Sequence, residues 1–295
     1  MITGQPITLW RRFLRFPWHL LLLSLALVTV GSLALYSASE GSWSPWAGRH
    51  AVRGGVGVVL VFILAFIDLR LLRKWSYVIL LAAVGMLVVL TVVDSGRFVS
   101  RWITIGGFTF QPSEPAKIAV IMALARYFDE QPPERMQSLL VYLPPLVLIT
   151  VPFLLIIKQP DLGTALALLL GALSVLFAAG MPWRYVFTAI VLGLGSLPVL
   201  WMQLHAYQKE RVMTFLNPGA DALGAGYQIT QSKIALGSGG LFGKGFLMGS
   251  QSQLNYLPEK QTDFVFTMIG EEFGLVGNLF ILSIYLLLIG SILAI

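Results

Sequence analysis

Apolar runs, each about long enough to cross a bilayer, recur along this chain and constrain its fold more than any other feature. A run of about 17 to 25 apolar residues matches a hydrocarbon core about 30 Å thick, and its backbone groups must be satisfied within the run, which favours a helix. With 57% hydrophobic and only 12% charged residues, the chain has too few charges for a soluble globule. The sequence therefore predicts an all-α, polytopic membrane helix bundle.

The apolar runs predict eight transmembrane helices in a single membrane domain over residues 1–295. We expect them near residues 17–37, 50–67, 76–93, 114–128, 139–157, 162–180, 184–203 and 264–295. The fourth run is short and carries Glu114, Lys117 and Arg126. It is expected to cross nonetheless, because otherwise every later loop would change sides and the Lys/Arg bias between the two sides would weaken.

The distribution of Lys and Arg predicts the orientation of the bundle. With a cytoplasmic N-terminus, the basic residues cluster in inside segments such as residues 11–15 and 70–74, as the positive-inside rule requires. Residues 203–262 then form a large exoplasmic loop, which is too long to be a mere connector. We expect the functional site in this loop.

Composition also excludes several functions. The net charge of +6 is scattered between apolar spans, so nucleic-acid binding is not expected. The absence of cysteine excludes disulfides, thiolate catalysis and metal-thiolate sites. The three histidines are too dispersed to predict a metal cluster.

A polar segment, residues 101–117, precedes the fourth span on the predicted exoplasmic side. Ser113 can cap the helix, and Glu114 suits the positive helix end. Lys117 lies on the same helical face as Glu114, where a lysine just inside lipid needs a partner or a wet cavity. Two interpretations follow: a structural ion pair, or a polar cavity whose cation meets an anionic substrate group.

Asp161 lies in a short turn between the fifth and sixth spans. It is about equally suited to cap the sixth helix and to act as a functional carboxylate. Its predicted side of the membrane is that of the other polar segments.

The large loop contains an amphipathic helix near residues 224–236 and a glycine-dense run, residues 237–245. Lys233 on that helix is either simply solvated or part of a site. The glycine run lacks the spacing of a nucleotide-binding P-loop. A close approach of its backbone to a lipid-linked pyrophosphate remains open.

Asp263 stands just ahead of the last apolar run. Either Thr262 or Asp263 could be only the N-cap of that helix. If the membrane begins near Phe273, Glu271 and Glu272 lie at the interface and need no special role. If it begins near Phe264, they are intramembrane carboxylates and point to function.

Four blocks in this order resemble the RodA/FtsW (SEDS) family of peptidoglycan glycosyltransferases, and its elongation branch rather than its division branch. They are QPSEPAK (111–117), KQPDLGT (158–164), GYQITQSKIALGSGGLFGKG (226–245) and LPEKQTDFVFTMIGEEFG (257–274). The resemblance runs from the first span to the last residue. Family members have about ten spans, so it also implies that this chain is truncated and that two spans are missing beyond Ile295.

The resemblance implies a lipid II polymerase that makes glycan strands on the exoplasmic face of the bacterial inner membrane during cell elongation and rod-shape maintenance. Asp263 is expected to be the general base of an inverting transfer: it accepts the proton of the acceptor 4-hydroxyl as polyprenyl pyrophosphate departs. A divalent cation, Mg or Mn, is expected at Glu114 or Asp161, and no organic cofactor. The predicted substrate-binding residues are Arg101, Glu114, Lys117, Asp161, Lys233, Glu259, Lys260 and Thr262.

The same resemblance implies a class B penicillin-binding protein as the crosslinking partner, besides lipid II and the growing lipid-linked glycan. Two alternatives from other functional classes stay open. The chain could flip lipid II across the membrane, or it could be a scaffold that recruits a cell-wall transpeptidase.

Overall fold

The computed structural model describes residues 13, 16–93, 102–105, 108–203, 206–217, 219, 224–250 and 261–294. The helices there are α1 (Trp18–Ala38), α2 (Ala47–Phe66), α3 (Leu69–Val93), α4 (Ser113–Asp129), α5 (Leu143–Lys158), α6 (Leu162–Ala178), α7 (Trp183–Gln203), α8 (Ala206–Leu216), α9 (Ala225–Ser238) and α10 (Val265–Leu293). Two short 3₁₀ helices, Pro133–Gln137 and Leu139–Tyr142, precede α5. The strands β1 (Ile103–Ile105) and β2 (Phe108–Phe110) form an antiparallel hairpin, which the sequence did not predict.

The predicted helices are confirmed at all eight positions, but a count of eight membrane crossings is not. Among the described residues, five helical stretches are long and apolar enough to span: α1, α2, α3, Leu139–Lys158 and α10. The helix α6 is apolar but shorter. The chain is thus a multi-pass, helical membrane protein, as its composition indicated.

The helices form two compact units. The central unit comprises Ile67–Leu200, and the terminal unit joins Met1–Phe66 to Trp201–Ile295. The prediction of one membrane domain with a large loop over residues 203–262 stays a prediction. Within that loop the structure describes α8, α9 and the turns that follow α9.

The helix α4 lies at the centre of the central unit, where it contacts α3, α5 and α6. Its buried stripe follows helical spacing and consists largely of small residues, which let neighbouring helix backbones approach closely. The members of this stripe are fully buried: Ala116, Ala119, Val120, Ala123 and Leu124. The charged helix α4 is therefore an integral, packed helix of this unit.

Polar contacts identify the two ends of the central unit. At one end Arg73, near the start of α3, pairs with Asp129, the last residue of α4, at 2.7 Å. At the other end Gln111, which precedes α4, donates to Asp161, which precedes α6, at 2.8 Å. The helices α3 and α4 therefore run in opposite directions, as the predicted topology requires.

In the terminal unit, α1 packs against α2 and α10, and α9 packs against α10. A small apolar cluster of Ala34, Ile269 and Ile281 joins α1 to α10. The helix α10 is not continuous, because Gly274 has φ 67° and ψ −161°, a conformation that ends one helical segment and begins another. This break organises the site described next.

Candidate functional site

The break in α10 at Gly274 removes hydrogen bonds that an unbroken helix would make, and a neighbouring loop replaces them. We name this neighbouring loop, residues 239–250, the clasp loop. The carbonyl of Glu271 accepts from the backbone N–H of Lys244 at 3.0 Å. The carbonyl of Glu272 accepts from the N–H of Gly245 at 2.9 Å.

The other side of the break is satisfied in the same way. The N–H groups of Leu275 and Val276 would point at the carbonyls of the preceding turn in a regular helix. Here Leu275 donates to the carbonyl of Gly240 at 2.9 Å, and Val276 donates to that of Leu241 at 3.1 Å. Four backbone hydrogen bonds thus attach the clasp loop to the broken turn, so non-helical backbone in an apolar setting keeps its partners.

Glycine permits this close approach. A Cβ at Gly239 would overlap the carbonyl oxygen of Gly270, and one at Gly243, where φ is +80°, would overlap that of Glu272. A Cβ at Gly274 would meet the clasp-loop backbone. Gly239 and Gly243 of the glycine-dense run therefore face α10. An approach of this run to a lipid-linked pyrophosphate stays a prediction.

A buried ion pair reinforces the backbone contacts. The side chain of Glu271 is fully buried, and its Oε1 lies 2.7 Å from Nζ of Lys244. The Lys244 ammonium also donates to Oγ of Ser250 at 2.7 Å, and Ser250 donates to the same Glu271 oxygen at 3.0 Å. A closed triangle of hydrogen bonds therefore ties two points of the clasp loop to one carboxylate.

The adjacent carboxylate, Glu272, joins the clasp loop to α1. Glu272 is only 2% exposed, and its Oε1 accepts a short hydrogen bond from the hydroxyl of Ser37 near the end of α1. The backbone N–H groups of Leu247 and Gly249 also hydrogen-bond its side chain. The two glutamates thus hold three structural elements together.

Asp263 lies in the turn that leads directly into α10, and its side chain is exposed. The N-cap of α10 is Phe264, and this helix end has no side-chain capping hydrogen bond. The interpretation of Thr262 or Asp263 as the N-cap is therefore wrong. Among the described residues, none forms a hydrogen bond or ion pair with the Asp263 carboxylate, which leaves it available to a ligand next to a positive helix end.

Lys233 belongs to α9, the helix that packs along the first turns of α10, and its side chain is exposed. Its neighbour Ser232 hydrogen-bonds Thr267 at 2.9 Å. Thr267 lies one helical turn beyond Asp263. The structure thus brings the part of α9 that carries Lys233 close to the start of α10.

The candidates of the central unit are already paired within the protein. Lys117 and Glu114 form an ion pair at 2.9 Å, with side chains 24% and 56% exposed. The ion pair is thus confirmed, and contact of its cation with an anionic substrate group stays a prediction. The helix α4 begins at Ser113 after Pro112, without side-chain capping, so the predicted Ser113 cap is wrong. The Ser113 hydroxyl is buried and has no hydrogen-bond partner among the described residues.

Asp161 caps α6. It accepts from the backbone N–H of Thr164 at 3.2 Å and from its hydroxyl at 2.8 Å, and Gln111 donates to it from the segment before α4. The capping interpretation is therefore confirmed. It also shows that Asp161 ties the entrances of two helices together in the central unit.

Three predicted substrate-binding residues, Arg101, Glu259 and Lys260, lie outside the described residues. For the predicted divalent cation, the described part of the chain contains no cluster of three or more acidic or histidine side chains. The carboxylates of Glu114 and Asp161 already have protein donors. The described residues therefore do not fit a cation site.

The sequence-based candidates omitted Lys244, Glu271 and Glu272 from the site. One available signal was the pair of adjacent carboxylates inside a long apolar helix, since intramembrane charges are costly without partners. A second signal was the pair of glycines, Gly270 and Gly274, that flank them.

Comparison with known proteins agrees with the resemblance seen in the sequence. The family model for FtsW, RodA and SpoVE, described as cell cycle protein, matches residues 12–295. The chain is 42% identical to the peptidoglycan glycosyltransferase MrdB of Escherichia coli K12, over 96% of this chain and 76% of that protein. It is 37% identical to the probable peptidoglycan glycosyltransferase FtsW of Trichlorobacter lovleyi, over 94% of this chain and 75% of that one.

Solved structures show the same fold. A chain from a peptidoglycan synthase complex that coordinates polymerization and crosslinking superposes with a TM-score of 0.75 and 31% identity, covering 94% of this chain and 77% of that one. The rod shape determining protein RodA of Thermus thermophilus superposes with a TM-score of 0.64 and 28% identity, covering 94% and 74%. The chain belongs to the FtsW/RodA/SpoVE family of cell cycle proteins.

Proposed function

We propose that this protein is a peptidoglycan glycosyltransferase that polymerises lipid II into glycan strands during cell elongation. The observation that carries the proposal is the match, over 96% of the chain, to a relative named as a peptidoglycan glycosyltransferase. The likeness to the rod shape determining protein RodA supports the role in elongation. The N-terminus is cytoplasmic and the site is exoplasmic in this proposal, which rests on the Lys/Arg distribution.

Asp263 is the general base of the proposed reaction. The acceptor sugar's 4-hydroxyl attacks the anomeric carbon of the lipid-linked chain, the new glycosidic bond forms, and the bond to polyprenyl pyrophosphate breaks. The proton of the attacking hydroxyl passes to the Asp263 carboxylate. Three features support this role: Asp263 is exposed, is not used for capping, and lies beside the positive end of α10.

Cationic side chains are needed where the pyrophosphate leaves, because negative charge develops there. Lys233 is suited to this task by its exposure on α9, next to the residue that contacts α10. Lys117 would have to exchange its contact with Glu114 for one with the substrate. The other members of the proposed substrate-binding set are Arg101, Glu114, Asp161, Glu259, Lys260 and Thr262.

A class B penicillin-binding protein is the proposed partner that crosslinks the strands. The likeness to a chain from a peptidoglycan synthase complex that coordinates polymerization and crosslinking supports such a partner.

The test is conversion of lipid II to glycan strands by the purified protein with its partner in detergent. We expect polymer with the parent protein and a loss of about 10²- to 10⁴-fold in rate with Asp263→Asn, because the amide cannot accept the proton. The matched control is Asp68→Asn, another exposed carboxylate, which among the described residues accepts a local bond from the Arg70 N–H at 2.9 Å.

Detergent abolishes the distinction between two sides of a membrane, so polymer made there excludes flipping as the sole activity. If the parent protein makes no polymer but moves lipid II across vesicle membranes, the flippase alternative replaces this proposal. If Asp263→Asn binds its partner normally and cells still fail to elongate, a mere scaffold is excluded.

A further inference from the structure

We propose that the ion pair between Lys244 and Glu271 positions Asp263. In this proposal the ion pair holds the clasp loop on the broken turn of α10 and so fixes the short helical segment that begins next to Asp263. The catalytic consequence rests on the proposed function, whereas the positional effect rests on the contacts alone.

The segment in question, residues 265–273, is separated from the rest of α10 by Gly274. It spans about 13 Å at 1.5 Å per residue. Because the helical hydrogen-bond ladder is interrupted at Gly274, the long remainder of α10 holds this segment by packing and not by a continuous ladder. Its orientation is therefore set by what attaches to its sides.

Three elements attach to this segment. From α9, Ser232 hydrogen-bonds Thr267 at 2.9 Å. From α1, Ser37 hydrogen-bonds Glu272. The clasp loop attaches at the far end from Asp263, through its backbone and through Lys244, whose target is Glu271.

Besides Glu272, which the N–H groups of Leu247 and Gly249 hydrogen-bond, the ion pair attaches the clasp loop through a charge, and removal of one partner is costly because the carboxylate is buried. Glu271 is fully buried and Lys244 retains 29% exposure of its side chain, so the carboxylate depends on protein donors. Both Lys244 and Ser250 donate to Glu271 Oε1. Removing the negative charge would release the ammonium toward solvent and loosen the loop at two points.

A small tilt of the helical segment at Gly274 produces a larger displacement of Asp263 at its other end. Asp263 lies eight residues before Glu271, or about 12 Å along a helix, so a tilt of about 5° displaces the aspartate by about 1 Å. A misplacement of about 1 Å can reduce a rate on the order of 10²-fold, because the reacting atoms leave their aligned geometry. Glu271 is therefore a positioning residue for Asp263 and takes no part in the proton transfer itself.

Electron paramagnetic resonance tests position without any assumption about activity. The chain contains no cysteine, so Asp263→Cys and Lys233→Cys supply two unique sites for nitroxide labels, both exposed. We expect a narrow distribution of label distances in this labelled parent and a broader or shifted one when Glu271→Gln is added. The matched control is Glu130→Gln, which removes a carboxylate from the exposed pair with Arg126 at 3.0 Å and is expected to change nothing.

Kinetics test the consequence in unlabelled protein that keeps Asp263. We expect Glu271→Gln to lower kcat about tenfold or more while KM for lipid II stays within about twofold, because the substrate contacts remain and the base is misplaced. Glu130→Gln should leave both parameters unchanged. A rise in KM without a change in kcat or in label distances would assign Glu271 to substrate binding and overturn the proposal.

A second variant guards against simple misfolding. Lys244→Met with Glu271→Met removes both charges, and buried ion pairs replaced by apolar residues of similar size often keep their stability. We expect it to fold, to show the broadened label distances and to have the lowered kcat. Label distances and kcat at the parent's level in this double variant would overturn the proposal.

If the parent makes no polymer, the proposed function fails, and the label distances still decide the positional effect.

Discussion

Nζ of Lys244 lies 2.7 Å from Oε1 of Glu271, a carboxylate that is completely buried in a largely apolar helix. The cation comes from a glycine-rich loop and the anion from the turn that Gly274 interrupts. Each charged group therefore provides the counter-charge of the other. The clasp loop and the break at Gly274 occur together because each supplies hydrogen-bond partners for polar groups of the other.

The buried pair and the exposed pair should differ in their effect on stability. Glu271→Ala removes the buried carboxylate that accepts from Lys244 and Ser250, and we expect a loss of about 1.5 to 3 kcal/mol in the free energy of unfolding. Glu114→Ala breaks the exposed pair with Lys117, and we expect a loss of about 1 kcal/mol or less. Thermal unfolding of both variants in the same detergent measures the difference. Equal losses would contradict the importance of burial.

The close contact of the clasp loop with α10 predicts a sharp difference between two glycines. Gly243→Ala places a methyl group against the carbonyl of Glu272 at a φ of +80°, so we expect a loss of at least about 1 to 3 kcal/mol in stability. Gly237→Ala adds a methyl group in open space within α9 and should be neutral or stabilising by up to about 1 kcal/mol. Thermal unfolding compares them. A tolerant Gly243 would indicate that the loop does not sit on the helix as described.

The capping role of Asp161 predicts which substitutions it tolerates. Asp161→Ala removes the acceptor for the Thr164 N–H at the start of α6, and we expect a loss of about 0.5 to 2 kcal/mol in stability. Asp161→Ser retains a capping oxygen and should recover most of that stability. Lipid II polymerisation by the serine variant separates capping from substrate binding. Parent-like stability with abolished polymerisation would show that the carboxylate itself contacts the substrate.

Substitution of Asp263 should abolish polymerisation with little effect on stability, whereas substitution of Glu271 should lower stability. Its side chain is exposed, and none of the described residues bonds to its carboxylate, so we expect Asp263→Ala to change the free energy of unfolding by no more than about 0.5 kcal/mol. Polymerisation should nevertheless be lost, because the proposed base is gone. A marked fall in thermal stability would instead indicate a structural role for this carboxylate.

Much of the fold was predictable from local properties of the sequence. Apolar runs of membrane-spanning length placed the helices, because a backbone in lipid must satisfy its own hydrogen bonds. The spacing of Glu114 and Lys117 allowed an ion pair on one helical face, and Asp161 stood where a cap belongs. Each of these inferences needs only residues that are near in sequence.

The clasp could not be predicted in the same way. Lys244 and Glu271 are far apart in sequence, and nothing in either segment states that a loop lysine will reach a helix carboxylate. The helical hydrophobic period of α10 also hid the break at Gly274, because apolar residues continue on both sides of it. The local pattern suggested that glycines here allow a close approach, and it pointed to a lipid-linked pyrophosphate without indicating the contact with α10.

The sequence by itself determined that this chain is a multi-pass helical membrane protein, that it belongs to its family, and that Asp263 stands at the start of the last helix. Those properties follow from composition, run length and short motifs, which act locally or through the bilayer as solvent. Only the tertiary structure decided that the glycine run serves α10 and that two glutamates inside that helix are held by Lys244, Ser250 and Ser37. Buried polar groups must find partners, and which partners they find depends on how distant segments pack.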